Sequence, residues 1–237
     1  MNGTFASAKQ LAEAVMPTAT IDTIICPPYI HLAAVNMAKQ AGVKLGAQDT
    51  AATNNGAYTG DVSAAQLADA GAEYVIIGHS ERRAIHGEEA PILLKKFERA
   101  FEAGLKVIYC CGETQLQRAE GMAEQTVLAQ LQAVQSHLQD TSKVIIAYEP
   151  VWAIGTGISA TPDDAQTMHA LIRNFVEEKL ANGSDMRILY GGSVKPETAH
   201  SLASQADIDG FLVGGASLEA KSFTDIGAAL AEAKSKT

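Results

Sequence analysis

Short apolar runs alternate with longer amphipathic stretches along almost the whole chain. Each short run holds four or five residues, is rich in Val and Ile, and is often apolar at nearly every position. Continuous apolar runs of this length are typical of parallel strands that are covered on both faces. The pattern therefore predicts seven strands, at Asp22–Cys26, Val43–Ala47, Tyr74–Ile77, Lys106–Cys110, Val144–Tyr148, Arg187–Tyr190 and Gly210–Val213.

The stretches between these runs repeat apolar residues at helical spacing and carry signals for helix starts and stops. Thr161-Pro162 places a capping side chain before a proline at the first helical position, and Gly104 follows one stretch as a C-terminal cap would. The pattern predicts eight helices: one from Phe5 to Val15, one starting at Thr161, and His31–Ala41, Val62–Ala70, Pro91–Ala103, Thr114–Gln139, Lys195–Ser204 and Ser222–Lys234.

Repeating strand–helix units with no break in composition favour a single domain over residues 1–237, built on a parallel sheet. An open doubly wound sheet and a closed (β/α)8 barrel both fit the pattern. Eight helices in 237 residues favour the barrel, whose typical size is about 250 residues. A barrel of eight helices needs eight strands, yet Asn2-Gly3-Thr4 leads directly into the opening helix. We therefore expect an α/β barrel whose first strand is absent from this chain.

The composition of the chain indicates which partners it is unsuited to bind and which cellular compartment it fits. The net charge of −9 argues against nucleic acid or an anionic membrane surface as the main partner, and no apolar run approaches the ~20 residues that span a bilayer. Cys26, Cys110 and Cys111 are too few for a disulfide framework and are not spaced as metal ligands. We expect buried free thiols in a cytoplasmic protein.

Two glycine turns follow the last two predicted strands, at Gly191-Gly192-Ser193 and Gly214-Gly215. Glycine lets backbone N–H groups approach one anion, and barrels often bind phosphate at these two strand ends. Each turn alone would fit a tight turn without a ligand. Because the two occur after consecutive strands, and one carries a serine hydroxyl, we expect a phosphate site.

Glu149 follows a fully apolar strand and precedes proline, which is a position poorly explained by stability. It is either a functional carboxylate, or a solvated loop residue or ion-pair partner. The segment Pro150–Ala160 has stiff ends and glycines within it, as in a loop that closes over a substrate. Trp152 in this segment fits an anchor in the core as well as it fits a lid.

His79 also follows a strand, and Ser80-Glu81 after it reads as the first turn of a helix. A histidine in this position is often a packed structural residue. The positive end of a helix, however, disfavours imidazolium, and a neutral ring can donate a hydrogen bond to a carbonyl oxygen. Glu81 fits either a cap of this turn or a partner of a cation.

Six segments together resemble the triosephosphate isomerase family, and the resemblance covers essentially the whole chain in order. They are NNGAYTGD (Asn54–Asp61), IIGHSERR (Ile76–Arg83), CCGE (Cys110–Glu113), AYEPVWAIGTG (Ala147–Gly157), LYGGSVKP (Leu189–Pro196) and LVGGASL (Leu212–Leu218). The resemblance implies a TIM barrel that interconverts dihydroxyacetone phosphate and glyceraldehyde 3-phosphate. It implies neither a metal nor an organic cofactor.

Residue roles follow from the resemblance position by position. Glu149 matches the base that moves a proton between the carbons, and His79 matches the neutral electrophile that stabilises the enediolate; the tuning of such a pair is well described for this enzyme. Glu81 and Cys110 match positions that support the site, and Pro150–Ala160 matches the closing loop. The residues that match phosphate-binding positions are Gly155, Ser193, Gly214 and Gly215.

One departure from the family concerns the start of the chain. The family's first strand ends in an asparagine and a lysine, and this sequence begins after them with Met1-Asn2-Gly3. Lys44, Lys106 and Lys143 lie at strand starts, the wrong end of the barrel to replace that lysine. Loss of one preorganised group commonly costs ~2.7–4 kcal/mol, so we expect severely reduced activity. Loss of the strand also leaves two sheet edges unpaired, so we expect the chain to be unstable or prone to aggregate.

The same departure bears on partners and on the alternative functions. The family is a homodimer in which the NNGAYTGD loop reaches into the neighbour, and we expect weakened dimerisation here because the docking place includes the missing segment. A non-catalytic phosphate-binding barrel is one alternative to an isomerase. The retention of Glu149, His79 and the loop sequence argues against a long period without selection for catalysis. A Schiff-base aldolase is another, but no predicted strand offers a suitable lysine.

Overall fold

The computed structural model describes residues 1–154 and 160–235. Within these ranges seven parallel strands form one sheet in the order of the chain. They are β1 (Thr23–Ile25), β2 (Val43–Ala47), β3 (Tyr74–Ile77), β4 (Lys106–Cys111), β5 (Val144–Tyr148), β6 (Arg187–Tyr190) and β7 (Gly210–Phe211). All seven predicted strands are confirmed. The strands β1 and β7 are each two residues shorter than predicted.

The sheet curls so that its first and last strands approach each other. Arg187 of β6 donates from Nη1 to Oδ2 of Asp22, directly before β1, over 2.8 Å. Ile21 and Phe211 of β7 pack into one apolar cluster with Leu230. The parallel, curled α/β sheet expected of a TIM barrel is therefore confirmed, whereas the extent of the domain stays a prediction.

Ten α-helices cover the sheet in the described ranges. They are α1 (Phe5–Ala14), α2 (Leu32–Ala38), α3 (Ala64–Asp69), α4 (Ser80–His86), α5 (Ala90–Glu102), α6 (Gln115–Ala119), α7 (Ala123–Val134), α8 (Pro162–Lys179), α9 (Pro196–Ala203) and α10 (Ala220–Lys234). No helix in these ranges is both long and apolar enough to cross a membrane.

The predicted count of eight helices is wrong because two of the connections hold two helices each. The expected single helix Thr114–Gln139 is broken between α6 and α7, where Gly121 has a φ of +70°. Gly87, with a φ of +64°, ends α4 and so separates it from α5. In both places glycine adopts a left-handed conformation that a helix interior does not allow.

The predicted helix starts are confirmed where a capping side chain signals them. Thr161 accepts from the backbone N–H of Asp164 over 3.1 Å and begins α8. Thr4 caps α1 in the same way with Ser7. The apolar stripe of α1 is only partly buried, since Ala12 is inaccessible while Phe5 is 58% exposed.

Both faces of the central strands β3, β4 and β5 are buried, which explains their continuous apolar sequences. Alternate residues point into the barrel interior, among them Tyr74, Ile108 and Ala147. Their neighbours, such as Val75 and Ile146, pack against the helices.

A cluster of four charged side chains lies beside a cavity of about 360 Å³ between the loop after β2 and α5. Lys96 Nζ lies 2.6 Å from both Asp49 Oδ1 and Glu88 Oε1. Arg82 Nε lies 2.8 Å from Asp49 Oδ2 and 2.7 Å from Glu88 Oε1. The two carboxylates and two cations compensate each other, as burial of charge requires.

His169 is a fully buried histidine on α8, behind β5 and β6. Its Nδ1 lies 3.0 Å from the carbonyl oxygen of Asp207, and its ring packs against Tyr148 and Tyr190. Burial lowers the pKa of His169 to about 4 from an ordinary value of 6.5.

The buried His169 predicts a loss of stability in acid. Between pH 6.5 and about 4 the unfolded chain binds a proton at this residue that the folded protein does not, so stability falls as the pH falls. We expect the free energy of unfolding in urea to decrease by about 2 kcal/mol from pH 7 to pH 5 on account of His169. The variant His169→Asn should lose that part of the pH dependence, and His86→Asn, at an exposed position, should keep it. Equal slopes for all three proteins would contradict the assignment.

Candidate functional site

Glu149 lies at the carboxyl end of β5, and the main chain fixes it there. All five residues of β5 are buried. Past the strand, the backbone N–H of Glu149 donates to the carbonyl oxygen of Cys111 over 2.8 Å, which continues the pairing with β4. The side chain is only 2% exposed, so the sequence alternative of a solvated loop carboxylate is wrong.

Three neighbouring residues surround the Glu149 carboxylate. Ser80 donates to it twice, from its backbone N–H to Oε2 over 2.9 Å and from Oγ to Oε1 over 3.1 Å. His79 Nε2 lies 3.1 Å from Oε1. The Cys110 thiol also hydrogen-bonds to the carboxylate. The structure thus brings together His79, Cys110 and Glu149, which the sequence separates widely.

His79 is held in one orientation by the helix that follows it. It is the N-terminal cap of α4, and its Nδ1 accepts from the backbone N–H of Glu81 over 3.3 Å. Because Nδ1 is the acceptor, a neutral ring carries its proton on Nε2, the atom that faces Glu149. The predicted helix start after His79 is confirmed.

Glu81 takes part in this arrangement through its backbone. Its side chain is 74% exposed, and its Oε2 lies 4.0 Å from His79 Nδ1. Within residues 1–154 and 160–235, no lysine or arginine forms an ion pair with Glu81. The cap and the cation partner both stay predictions for Glu81, whose carboxylate lies near the imidazole.

Burial and hydrogen bonding act in opposite directions on the acidity of these groups. Burial raises the pKa of Glu149, and the effects of His79, Ser80 and Cys110 offset it only in part. Burial and the nearby carboxylate hold the pKa of Cys110 well above its usual value. Cys110 is therefore a thiol that donates a hydrogen bond, and Glu149 is a stronger base than an ordinary glutamate.

The glycine turns lie at the same end of the sheet. The backbone N–H of Gly191 donates to the carbonyl oxygen of Tyr148 over 2.7 Å, and a Cβ on Gly191 would lie 3.0 Å from Glu149 Cγ. Ser193 is partly buried two residues further on. Gly214 and Gly215 are exposed at the end of β7, and a Cβ on either would meet no atom within 4 Å. The second turn therefore borders open space.

The segment after Glu149 begins with an anchored tryptophan. Trp152 Nε1 donates to Glu113 Oε1 over 2.8 Å, and the guanidinium of Arg118 lies 4.4 Å from the centre of the indole ring. These contacts agree with the interpretation of Trp152 as an anchor in the core, rather than as part of a lid. The middle of the predicted closing loop, including Gly155, lies outside the described residues.

A curled parallel α/β sheet with a buried carboxylate and an oriented imidazole at its carboxyl end is the arrangement expected of a barrel enzyme. The family model described as triosephosphate isomerase matches residues 1–230. The chain belongs to the triosephosphate isomerase family, whose members are isomerases.

Individual relatives agree with the family model. A triosephosphate isomerase of Hahella chejuensis is 45% identical over 230 residues, which is 95% of this chain and 93% of the relative. One of Halorhodospira halophila is 46% identical over 237 residues, 98% of this chain and 95% of the relative. One of Vibrio cholerae is 49% identical over 220 residues, with coverage of 90% and 86%.

Sequence reasoning missed Ser80 and Glu113 as members of this site. The contact of Ser80 with a carboxylate could have been predicted, because the first residues of a helix have free backbone N–H groups that favour an anion. Glu113 is fully buried and accepts from both Tyr148 and Trp152. Its sequence position, after the glycine that follows β4, gives no sign of these distant partners.

The hydrogen bonds from Ser80 predict a measurable shift in the ionisation of Glu149. In Ser80→Ala the carboxylate loses the hydroxyl donor and keeps the backbone donor. A hydrogen bond to a charged group is worth about 1.5–3 kcal/mol, so the pKa of Glu149 should rise by about one to two units. The pH dependence of the ¹³C signal of the Glu149 carboxyl group measures this. Ser201→Ala, at an exposed position on α9, is the control, and an unchanged pKa in Ser80→Ala would refute the role of the hydroxyl.

Proposed function

We propose that this chain interconverts dihydroxyacetone phosphate and D-glyceraldehyde 3-phosphate by proton transfer through an enediolate. The observation that carries the proposal is the contact of 3.1 Å between His79 Nε2 and Oε1 of a buried Glu149. A base and a hydrogen-bond donor held this close can act on adjacent carbon and oxygen atoms of one substrate.

Glu149 acts as the base in this proposal. It removes a proton from the carbon next to the carbonyl and returns it to the neighbouring carbon. Its raised pKa favours that exchange, because a base is most effective when its pKa approaches the working pH. Glu149 must be ionised to start the reaction, and Ser80 and Cys110 stabilise the ionised form.

His79 acts as the electrophile, donating from Nε2 to the oxygen on which negative charge develops. The Glu81 N–H, bonded to Nδ1, supports this orientation, and a substrate oxygen would take the place that Glu149 Oε1 occupies on Nε2. The reaction redistributes protons and electron pairs within one substrate, so its balance requires no external oxidant or reductant.

The phosphate group is proposed to bind at the glycine turns. The open space beside Gly214 and Gly215 supports this assignment, as does the position of Ser193 after a turn that touches Glu149. Gly155 and closure of Pro150–Ala160 over the substrate complete the proposal by analogy with the family. Exclusion of water by such closure would protect an enediolate from side reactions.

We also propose that the protein forms a homodimer and resides in the cytoplasm. An exposed apolar side chain in the NNGAYTGD loop supports the first statement, since Tyr58 is 51% exposed. Three free cysteines support the second. Weakened dimerisation stays a prediction, which sedimentation of the purified chain tests.

Replacement of Glu149 predicts loss of proton exchange. In deuterium oxide, the active protein should introduce deuterium at the carbon of dihydroxyacetone phosphate that carries the free hydroxyl group. Glu149→Gln should lower that rate by about 10²- to 10⁴-fold, the usual contribution of a general base. Because the sequence predicts a reduced rate, deuterium accumulated over a long incubation and measured by proton NMR is a better measure than initial velocity.

The control is Glu177→Gln, at an exposed position on α8, which should exchange at the rate of the unaltered protein. Equal exchange in the unaltered protein and in Glu149→Gln would contradict the proposal. If inorganic phosphate then still bound, the chain would instead be a phosphate-binding relative without turnover.

A further inference from the structure

The end of β4 extends beyond its neighbour β3. The two strands stay in register up to the pair Ile77 and Tyr109, after which β4 continues to Cys111. Even-numbered residues of β4 direct their backbone groups towards β3, as the bond from Lys106 N–H to the Glu73 carbonyl shows. The last even-numbered positions, Cys110 and Gly112, therefore direct polar groups past the end of β3.

Two side chains satisfy these backbone groups in place of a strand. Arg83 of α4 donates from Nη2 to the carbonyl oxygen of Cys110 over 2.8 Å. Gln130 of α7 binds both polar groups of Gly112: its Oε1 accepts from the N–H over 2.9 Å, and its Nε2 donates to the carbonyl oxygen over 3.0 Å. One amide side chain thus holds the residue that follows β4.

Tyr109 connects the two side chains. Its hydroxyl accepts from Arg83 Nη2 over 3.1 Å and donates to the backbone carbonyl of Gln130 over 2.8 Å. Arg83 Nε also donates to the carbonyl oxygen of Gly78 over 2.7 Å. Because Gly78 directly precedes His79, this chain of hydrogen bonds joins the segment that carries the imidazole to Gly112.

Gly112 in turn rests directly on the backbone of Glu149. A Cβ on Gly112 would overlap the carbonyl oxygen and carbon of Glu149, so the two main chains are in contact with no side chain between them. On the opposite edge, the bonds from Glu149 to Cys111 and from Val151 to Glu113 tie the same two segments together. A displacement of Gly112 is therefore passed on to Glu149.

We propose that Gln130 is a positioning residue for Glu149. By fixing both polar groups of Gly112, it holds the surface against which the Glu149 backbone is placed, and so sets the distance of the carboxylate from His79 and Ser80. The effect of Gln130 on catalysis rests on the proposed function, whereas its effect on the position of the Glu149 carboxylate does not.

The test replaces Gln130 with a side chain of similar length that cannot hydrogen-bond. Gln130→Met should lower kcat/KM by about 10- to 100-fold, the usual effect of misplacing a catalytic group by about 1 Å. The loss should appear in kcat, while KM and competitive inhibition by inorganic phosphate stay unchanged, because the glycine turns are not attached to Gln130. Gln132→Met, at an exposed position of the same helix, is the matched control and should behave as the unaltered protein.

A second readout does not depend on turnover. The backbone N–H of Ser80 donates to Glu149 Oε2, so its hydrogen exchange reports where the carboxylate lies. In Gln130→Met this amide should exchange at least several-fold faster than in Gln132→Met, with amides in the middle of β5 unchanged. If the unaltered protein had no isomerase activity, the proposed function would fail, and the Ser80 amide would still decide the role of Gln130.

A third variant covers the case in which Gln130→Met does not fold. Gln130→Glu keeps an acceptor for the Gly112 N–H and places a carboxylate against the Gly112 carbonyl, so it should show the same faster exchange. An unchanged Ser80 amide in the folded variants would overturn the proposal. A parallel loss of kcat and phosphate affinity, together with faster exchange throughout β5, would show general destabilisation and would overturn it as well.

Discussion

The main-chain pairing between β4 and β5 is the constraint on which the site depends. Five residue pairs keep these strands in register, and the pairing continues beyond them through Glu149 and Val151. It determines where the Glu149 carboxylate lies, and it places Glu113 where the following segment can be anchored. A slip of one residue would turn each side chain to the opposite face of the sheet. The position of Glu149 and the packing of the core therefore depend on the same register.

The site places an ionisable carboxylate in apolar surroundings, and the surroundings and the hydrogen-bond partners shift its pKa in opposite directions. Burial disfavours an ionised Glu149, while Ser80, His79 and Cys110 supply the hydrogen bonds that make ionisation possible. None of these partners is a fixed cation, which would lower basicity much more. The result is a carboxylate that is held in place and remains able to accept a proton.

The strands and most helices could be predicted because their determinants are local: runs of apolar residues, capping threonines and prolines at helix starts. The break at Gly121 was missed because glycine within a helical pattern is tolerated as often as it interrupts one. At the site, Glu149 and His79 stood out because each follows an apolar strand. Ser80 acts partly through its backbone, and Gln130 through Gly112, 18 positions away, so residue type alone revealed neither.

The charged cluster around Lys96 has a consequence for how sequences of this family diverge. Its carboxylates come from the loop after β2 and the segment before α5, yet Lys96 contacts both within 2.6 Å. Because Arg82 also contacts both carboxylates, replacement of Lys96 leaves two buried carboxylates with one cation, and replacement of one carboxylate leaves two cations with the other. We therefore expect the charges at Asp49, Arg82, Glu88 and Lys96 to change together across relatives, so that the balance of the cluster is kept.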